Sequence, residues 1–119
     1  MARGVAAVLA DPAKGFYLVA ELNGEPVGQL LVTPEWSDWR DGWFWWIQSV
    51  YVREDARRSG VFRGLFNEVV RLAAAAGDVV GVRLYVERDN MRAQETYRSL
   101  GMAETGYRLY ERLLSKRSS

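Results

Sequence analysis

The sequence contains neither cysteine nor histidine. The first absence excludes disulfides, thiolate metal sites and a cysteine nucleophile. The second excludes a Ser-His-Asp triad and a His-ligated zinc. Any acyl or phosphoryl chemistry must run without imidazole, and no metal is expected. There are only 3 prolines and no low-complexity tract, so disorder is expected only at the ends, as in the terminal Ser115 to Ser119. Charge of one sign is lacking too. A net charge of +1 argues against a nucleic-acid partner, which usually needs a basic surface. No apolar run reaches about 18 residues, so no membrane span is expected. The apolar run within "MARGVAAVLADP" is too short for a secretory signal, and the chain reads as cytoplasmic.

What is present is a compact length, 119 residues, 49% of them hydrophobic. That suits a single domain, 1–119, with a real core. The alanine-rich stretch from Ala2 to Ala10 reads as a short helix stopped by Asp11 and Pro12. Gly15 to Leu22 reads as a strand, Asn23-Gly24 as a hairpin turn, and Pro26 to Pro34 as the return strand. Gly28 inside it marks a bulge or a close approach. Glu35 to Gly42 reads as a loop with two tryptophans. Trp43 to Val52 carries no charge and suits a strand covered on both faces. Apolar residues at Phe62, Leu65, Phe66, Val69, Leu72, Ala73 and Ala76 have helical spacing, and Gly77 is a natural stop. Val80 to Glu87 reads as a strand, and a helix follows to Leu100. Met102 to Glu104 and Tyr107 to Leu114 read as two closing strands. A strand-helix-strand unit in the middle implies a parallel, right-handed crossover. The fold class is α/β (α+β): a mixed, mostly antiparallel sheet with helices on its faces.

The stretch from Arg53 to Phe66, "REDARRSGVFRGLF", turns a strand into a helix. Such a turn presents unpaired backbone N–H groups at the positive end of the helix dipole. Gly60 removes the Cβ that would hold a phosphate off the backbone. Arg57 and Arg58 add fork-shaped cationic donors. Together they make an anion site; an ordinary polar turn with solvated arginines is the plainer reading. No Lys-Ser or Lys-Thr follows the glycine, so this is not the NTP-binding P-loop.

"VREDARRSGVF" resembles the acyl-CoA signature of the GNAT family of N-acetyltransferases. That signature has a glutamine or arginine, two residues, a glycine, one residue, then a glycine or alanine. Arg57 and Gly60 match; Phe62 stands where glycine or alanine is usual. "NMRAQETYRSLGM" resembles a second family pattern, with Asn90, Ala93, Tyr97 and Gly101 in register. The resemblance covers roughly Phe16 to Leu114. It implies the acyl-CoA N-acyltransferase fold, with a central pair of splayed parallel strands, and acetyl-CoA as donor. Backbone of Val50, Tyr51 and Val52 would hold the pantetheine arm. Arg57, Arg58, Ser59, Gly60, Val61 and Phe62 would hold the diphosphate, with Asn90, Ala93 and Tyr97 beside them. Family members usually have another strand and helix first. A shortened start is expected to expose an edge at Phe16 to Leu22 and so favour self-association; homodimers are common in the family.

The resemblance makes Tyr97 the general acid; on spacing alone it is a core tyrosine on a buried helix face. A phenol of ordinary pKa near 10 stays protonated at neutral pH and can donate to a leaving thiolate. The base stays open: Glu87 ends a strand, and Gln48 orients a water at most. Trp36 and Trp39 are acceptor-pocket candidates; Asp38 and Asp41, in the same loop, have the charge for a cationic amine. The implied acceptor is an amine of a small molecule or peptide. A module that binds acetyl-CoA without catalysis is the alternative, and an adaptor using Arg57, Arg58 and Arg63 is a third.

Overall fold

A computed structural model of the chain describes residues 3–11 and 14–115. The chain divides into two compact units, Met1–Glu87 and Arg88–Ser119. The first holds a five-stranded sheet in chain order: β1 (Arg3–Asp11), β2 (Gly15–Leu22), β3 (Glu25–Ser37), β4 (Gly42–Val52) and β5 (Val79–Arg83). The first four strands are antiparallel neighbours, and β5 joins β4 in parallel. Helix α1 (Val61–Ala76) makes the crossover between β4 and β5. Among the described residues the second unit holds one helix, α2 (Met91–Ser99). The mixed, mostly antiparallel sheet with one parallel pair is as expected from the sequence.

Asn23 and Gly24 form the β2–β3 turn with φ of 53° and 82°, the left-handed pair that matches strand twist in a two-residue hairpin. Alternation then selects the buried face. Leu18 and Ala20 on β2, with Leu30 and Val32 on β3, point to the core, and Ile47 joins them opposite Val32. Against them α1 lays Val61, Leu65, Phe66, Val69 and Ala73. Leu18, Leu30 and Leu65 are wholly buried. Each contributes about 1.5–3 kcal/mol through burial. Gly28 is a close approach: a Cβ there would lie 2.7 Å from Val61 Cγ1 and 3.2 Å from the Tyr51 carbonyl oxygen. The start of α1 thus sits directly on β3.

Five expectations are corrected. Residues 3–11 form a strand, not a helix. Pairing from Arg3 to Leu22 and on to Leu9 to Phe16 satisfies the backbone along β2, which overrides the weak helical preference of alanine. β2 is therefore paired on both sides, and the exposed edge at Phe16 to Leu22 does not exist. Residues 35–37 are strand rather than loop, because Glu35, Trp36 and Ser37 pair with Phe44, Trp43 and Gly42. β5 ends at Arg83, four residues earlier than expected. Residues 102–104 and 107–114 form no ladder; among the described residues their unit contains no strand, and a strand without partners is not stable alone. Ser115 is described, whereas 116–119 of the expected frayed tail lie outside the described residues. Among the described residues, no helix is long and apolar enough to cross a membrane.

Candidate functional site

The parallel ladder of β4 and β5 runs from Trp43 and Val79 to Trp46 and Arg83, then stops. β4 continues six residues further, to Val52, without that partner. Its outer backbone groups from Ile47 to Val52 lie beyond the ladder, on the side facing away from β3. In the same segment β4 is bulged. Gln29 pairs with Tyr51 and Leu31 with Gln48, so Leu30 faces both Ser49 and Val50. Ser49 takes φ 51°, the left-handed conformation that a bulge demands and that an L-residue resists. A bulge turns carbonyls and N–H groups out of register and bends the strand. Val50 and Tyr51, about half exposed, follow it directly.

Past Val52 the chain makes a 3-10 turn at Glu54–Ala56 and enters α1 through Arg57 to Gly60. Several bonds pin this connection. The Arg57 Nε donates to the Val52 carbonyl at 3.1 Å. The Arg53 N–H donates to the Val27 carbonyl at 2.7 Å. The Ser59 hydroxyl donates to the Ala56 carbonyl, and Ala56 is itself buried. Arg58 and Gly60 are both left-handed, with φ of 70° and 79°. Gly60 is the helix N-cap and has no side chain to accept from the first turn. The Gly64 N–H reaches the Gly60 carbonyl at 3.0 Å, and Gly60 itself supplies no side-chain cap.

Cationic side chains flank the start of α1, while Glu54 and Asp55 lie upstream in the 3-10 turn. No acidic residue lies in the first turn of α1. Upstream, Asp55 is engaged by Arg53 at 2.5 Å, and Arg53 also reaches Glu25 at 3.2 Å. Arg57, Arg58 and Arg63, which flank the start of α1 in the chain, are exposed. Helix dipole and guanidinium charge therefore add, which is the requirement for a phosphate. The Phe62 side chain is half-buried, its ring 6.2 Å from the Phe66 ring, centroid to centroid.

The expected site residues of the second unit form a group of their own. Asn90 caps α2, its side chain accepting from the Ala93 N–H at 3.1 Å. Tyr97 lies in the last turn, its backbone carbonyl accepting from Met102 at 3.0 Å. Partial burial raises the Tyr97 phenol above its ordinary pKa, so it holds its proton further into alkali.

The acceptor candidates scatter. Trp36 stands on β3, not in a loop, and meets the Trp43 ring edge-on at 5.2 Å. Trp39 occupies the turn between β3 and β4, 91% exposed. Asp38 and Asp41 share that turn. Gln48 donates to the Thr33 hydroxyl at 2.6 Å. Glu87 ends the first unit, beyond β5. Sequence reasoning missed Ser49, whose signal was a Gln-Ser pair breaking an apolar strand. It also missed the contacts of Trp46, for which the sequence holds no signal.

Comparison with known proteins agrees with this geometry. The sequence profile of the acetyltransferase (GNAT) family matches residues 3–102. A crystal structure of a possible acetyltransferase from Clostridium difficile 630 is 45% identical. It matches with a TM-score of 0.82 over 89% of this chain and 70% of that one. An aminoglycoside acetyltransferase from an uncultured soil metagenomic sample, in complex with trehalose, has TM-score 0.74 at 19% identity, over 87% and 69% of the two chains. AAC(6')-Iy, bound to a CoA bisubstrate analogue, has TM-score 0.71 at 18% identity, over 84% and 69%. These last two show the fold alone. No curated protein matches the chain. On the family profile and the Clostridium relative together, the chain belongs to the GNAT family of acetyltransferases.

Proposed function

We propose that the chain moves the acetyl group of acetyl-CoA to an amine of a small molecule or peptide by direct attack. One observation carries the reading: β4 leaves its parallel partner after Trp46, bulges at Ser49, and leads through exposed arginines into a helix whose N-cap is the left-handed Gly60. In this reading the donor's diphosphate sits on the first-turn N–H groups of Val61, Phe62 and Arg63, with Arg57 and Arg58 alongside. Each charge-assisted bond contributes roughly 1.5–3 kcal/mol net. The pantetheine arm lies along the edge of Val50, Tyr51 and Val52 that β5 does not pair.

The amine nitrogen attacks the thioester carbonyl carbon, and the C–S bond breaks. The thiolate takes the phenol proton of Tyr97, and the nitrogen loses its own to a base or water. The products are an amide and free CoA. A lysine-like amine is neutral in only about one molecule in 2,500 at pH 7, so the route for that proton matters as much as the acid. Glu87 and Gln48 remain the candidates that orient or take it.

The test is thiol release from acetyl-CoA against a panel of amines. Aminoglycosides belong in it, because the metagenomic relative is an acetyltransferase of that class; polyamines and lysine peptides complete it. Amine-dependent release that falls about 10²-fold or more in Tyr97→Phe, with donor binding intact, is the expected result. Donor binding with no release for any amine would favour the non-catalytic module.

A further inference from the structure

The sheet face opposite α1 carries a cluster at the point where β4 and β5 part. Gly28, which meets Val61, and by alternation Leu30, Val32 and Ile47 define the α1 face. Glu35, Phe44 and Trp46 fall on the other. Trp46 and Arg83 are the last pair of the parallel ladder. Two residues beyond Arg83, the Tyr85 ring stacks on Trp46 at 4.6 Å and 28°. Glu35 holds the cluster from β3: its Oε1 accepts from Trp46 Nε1 at 3.1 Å and from the Arg83 guanidinium at 3.2 Å. Arg83 lies 3.5 Å over the Phe44 ring. Both bonds end on Oε1, so Glu35 Oε2 takes part in neither. Tyr85 is 63% exposed.

We propose that Trp46 and Tyr85, framed by Glu35, form the acceptor wall, and that the acceptor is a primary amine carrying a flat ring. The proposal rests on the acetyl-CoA reading above. In that reading the donor arm runs from the arginine-ringed end back along β4 toward the fork. α1 covers one face of the sheet, so an amine reaches the thioester from the other face, past this stack. A ring laid on exposed Tyr85 gains area and ring-ring contact. An ammonium arriving there meets π faces and a carboxylate oxygen, both of which favour a cation. Arg83 is a positioning residue: it holds Glu35, and through it the Trp46 ring.

The test has two arms. First, acetyl-CoA and desulfo-CoA are titrated into the chain; no binding to the folded protein would overturn the donor reading and this proposal with it. Second, tyramine, tryptamine, butylamine and spermidine are titrated into the chain saturated with desulfo-CoA. The ring amines should bind about tenfold tighter than butylamine or spermidine. Tyr85→Ala, at an exposed position that spares the fold, should remove about tenfold for the ring amines only. Glu35→Gln should weaken all four, and neither variant should move the desulfo-CoA affinity by more than about twofold. In thiol release with tyramine, Tyr85→Ala should raise KM and leave kcat nearly unchanged. Equal binding of ring and chain amines, or ring-amine binding untouched by both Tyr85→Ala and Trp46→Leu, would overturn the proposal while leaving donor binding intact.

Discussion

The same substitution should act with opposite sign at two glycines, because their surroundings differ. In Gly28→Ala the new Cβ would lie 2.7 Å from Val61 Cγ1 and 3.2 Å from the Tyr51 carbonyl oxygen. Neither atom can yield cheaply. Val61 is β-branched, 3% exposed and in the first turn of α1, and the other atom is strand backbone. Overpacking of this kind costs about 1–3 kcal/mol. In Gly64→Ala the Cβ would meet nothing within 4 Å, on the helix α1. Alanine there should stabilise by about 0.5–1 kcal/mol, through helix propensity and a less free unfolded chain. At roughly 4 °C per kcal/mol for a domain of this size, the two variants should melt some 6–16 °C apart. Thermal circular dichroism reads the difference. Gly28→Ala should also weaken acetyl-CoA binding at temperatures where it remains folded, because relief of the clash lifts the start of α1. Equal melting temperatures would refute the claim that Gly28 seats the helix on β3.

Arg57→Ala should lower acetyl-CoA affinity about 10- to 100-fold, since it removes one charged partner and frees the Val52 carbonyl from its bond; calorimetry that finds no change would remove Arg57 from the cradle. The raised phenol of Tyr97 sets an alkaline limit. Its stability contribution is complete below the ordinary tyrosine value near 10 and is lost as pH rises through the raised folded value. Denaturant melts from pH 9 to 12 should show a decline that Tyr97→Phe shares less. Arg71, bonded to Glu68 on α1, holds that carboxyl below its ordinary value. Its contribution is present above about 4.5 and fades as pH falls through the lowered value, so Arg71→Met should flatten the acid limb of a stability–pH curve.

Local chemistry made much of the fold legible. Asn23-Gly24 specified its hairpin because only residues tolerant of positive φ fit that turn. The apolar spacing from Phe62 to Ala76 specified α1. What stayed hidden was decided by partners distant in sequence. Residues 3–11 look helical until β2 offers a ladder. Glu35 to Ser37 look like loop until Trp43 and Phe44 pair with them. Tyr107 to Leu114 alternate like a strand, but alternation makes no strand without a neighbour. The bulge at Ser49 left only a faint trace, two polar residues inside an apolar run. The Glu35–Trp46–Arg83 contacts left none, because they join three strands.

The most direct measurement is calorimetric titration of acetyl-CoA into the purified chain, with ADP and desulfo-CoA as controls. Saturable one-to-one binding is predicted, with desulfo-CoA close to acetyl-CoA, ADP weaker, and all three diminished in Arg57→Ala. A folded chain that binds none of them would contradict the claim that the β4–α1 turn is a diphosphate cradle.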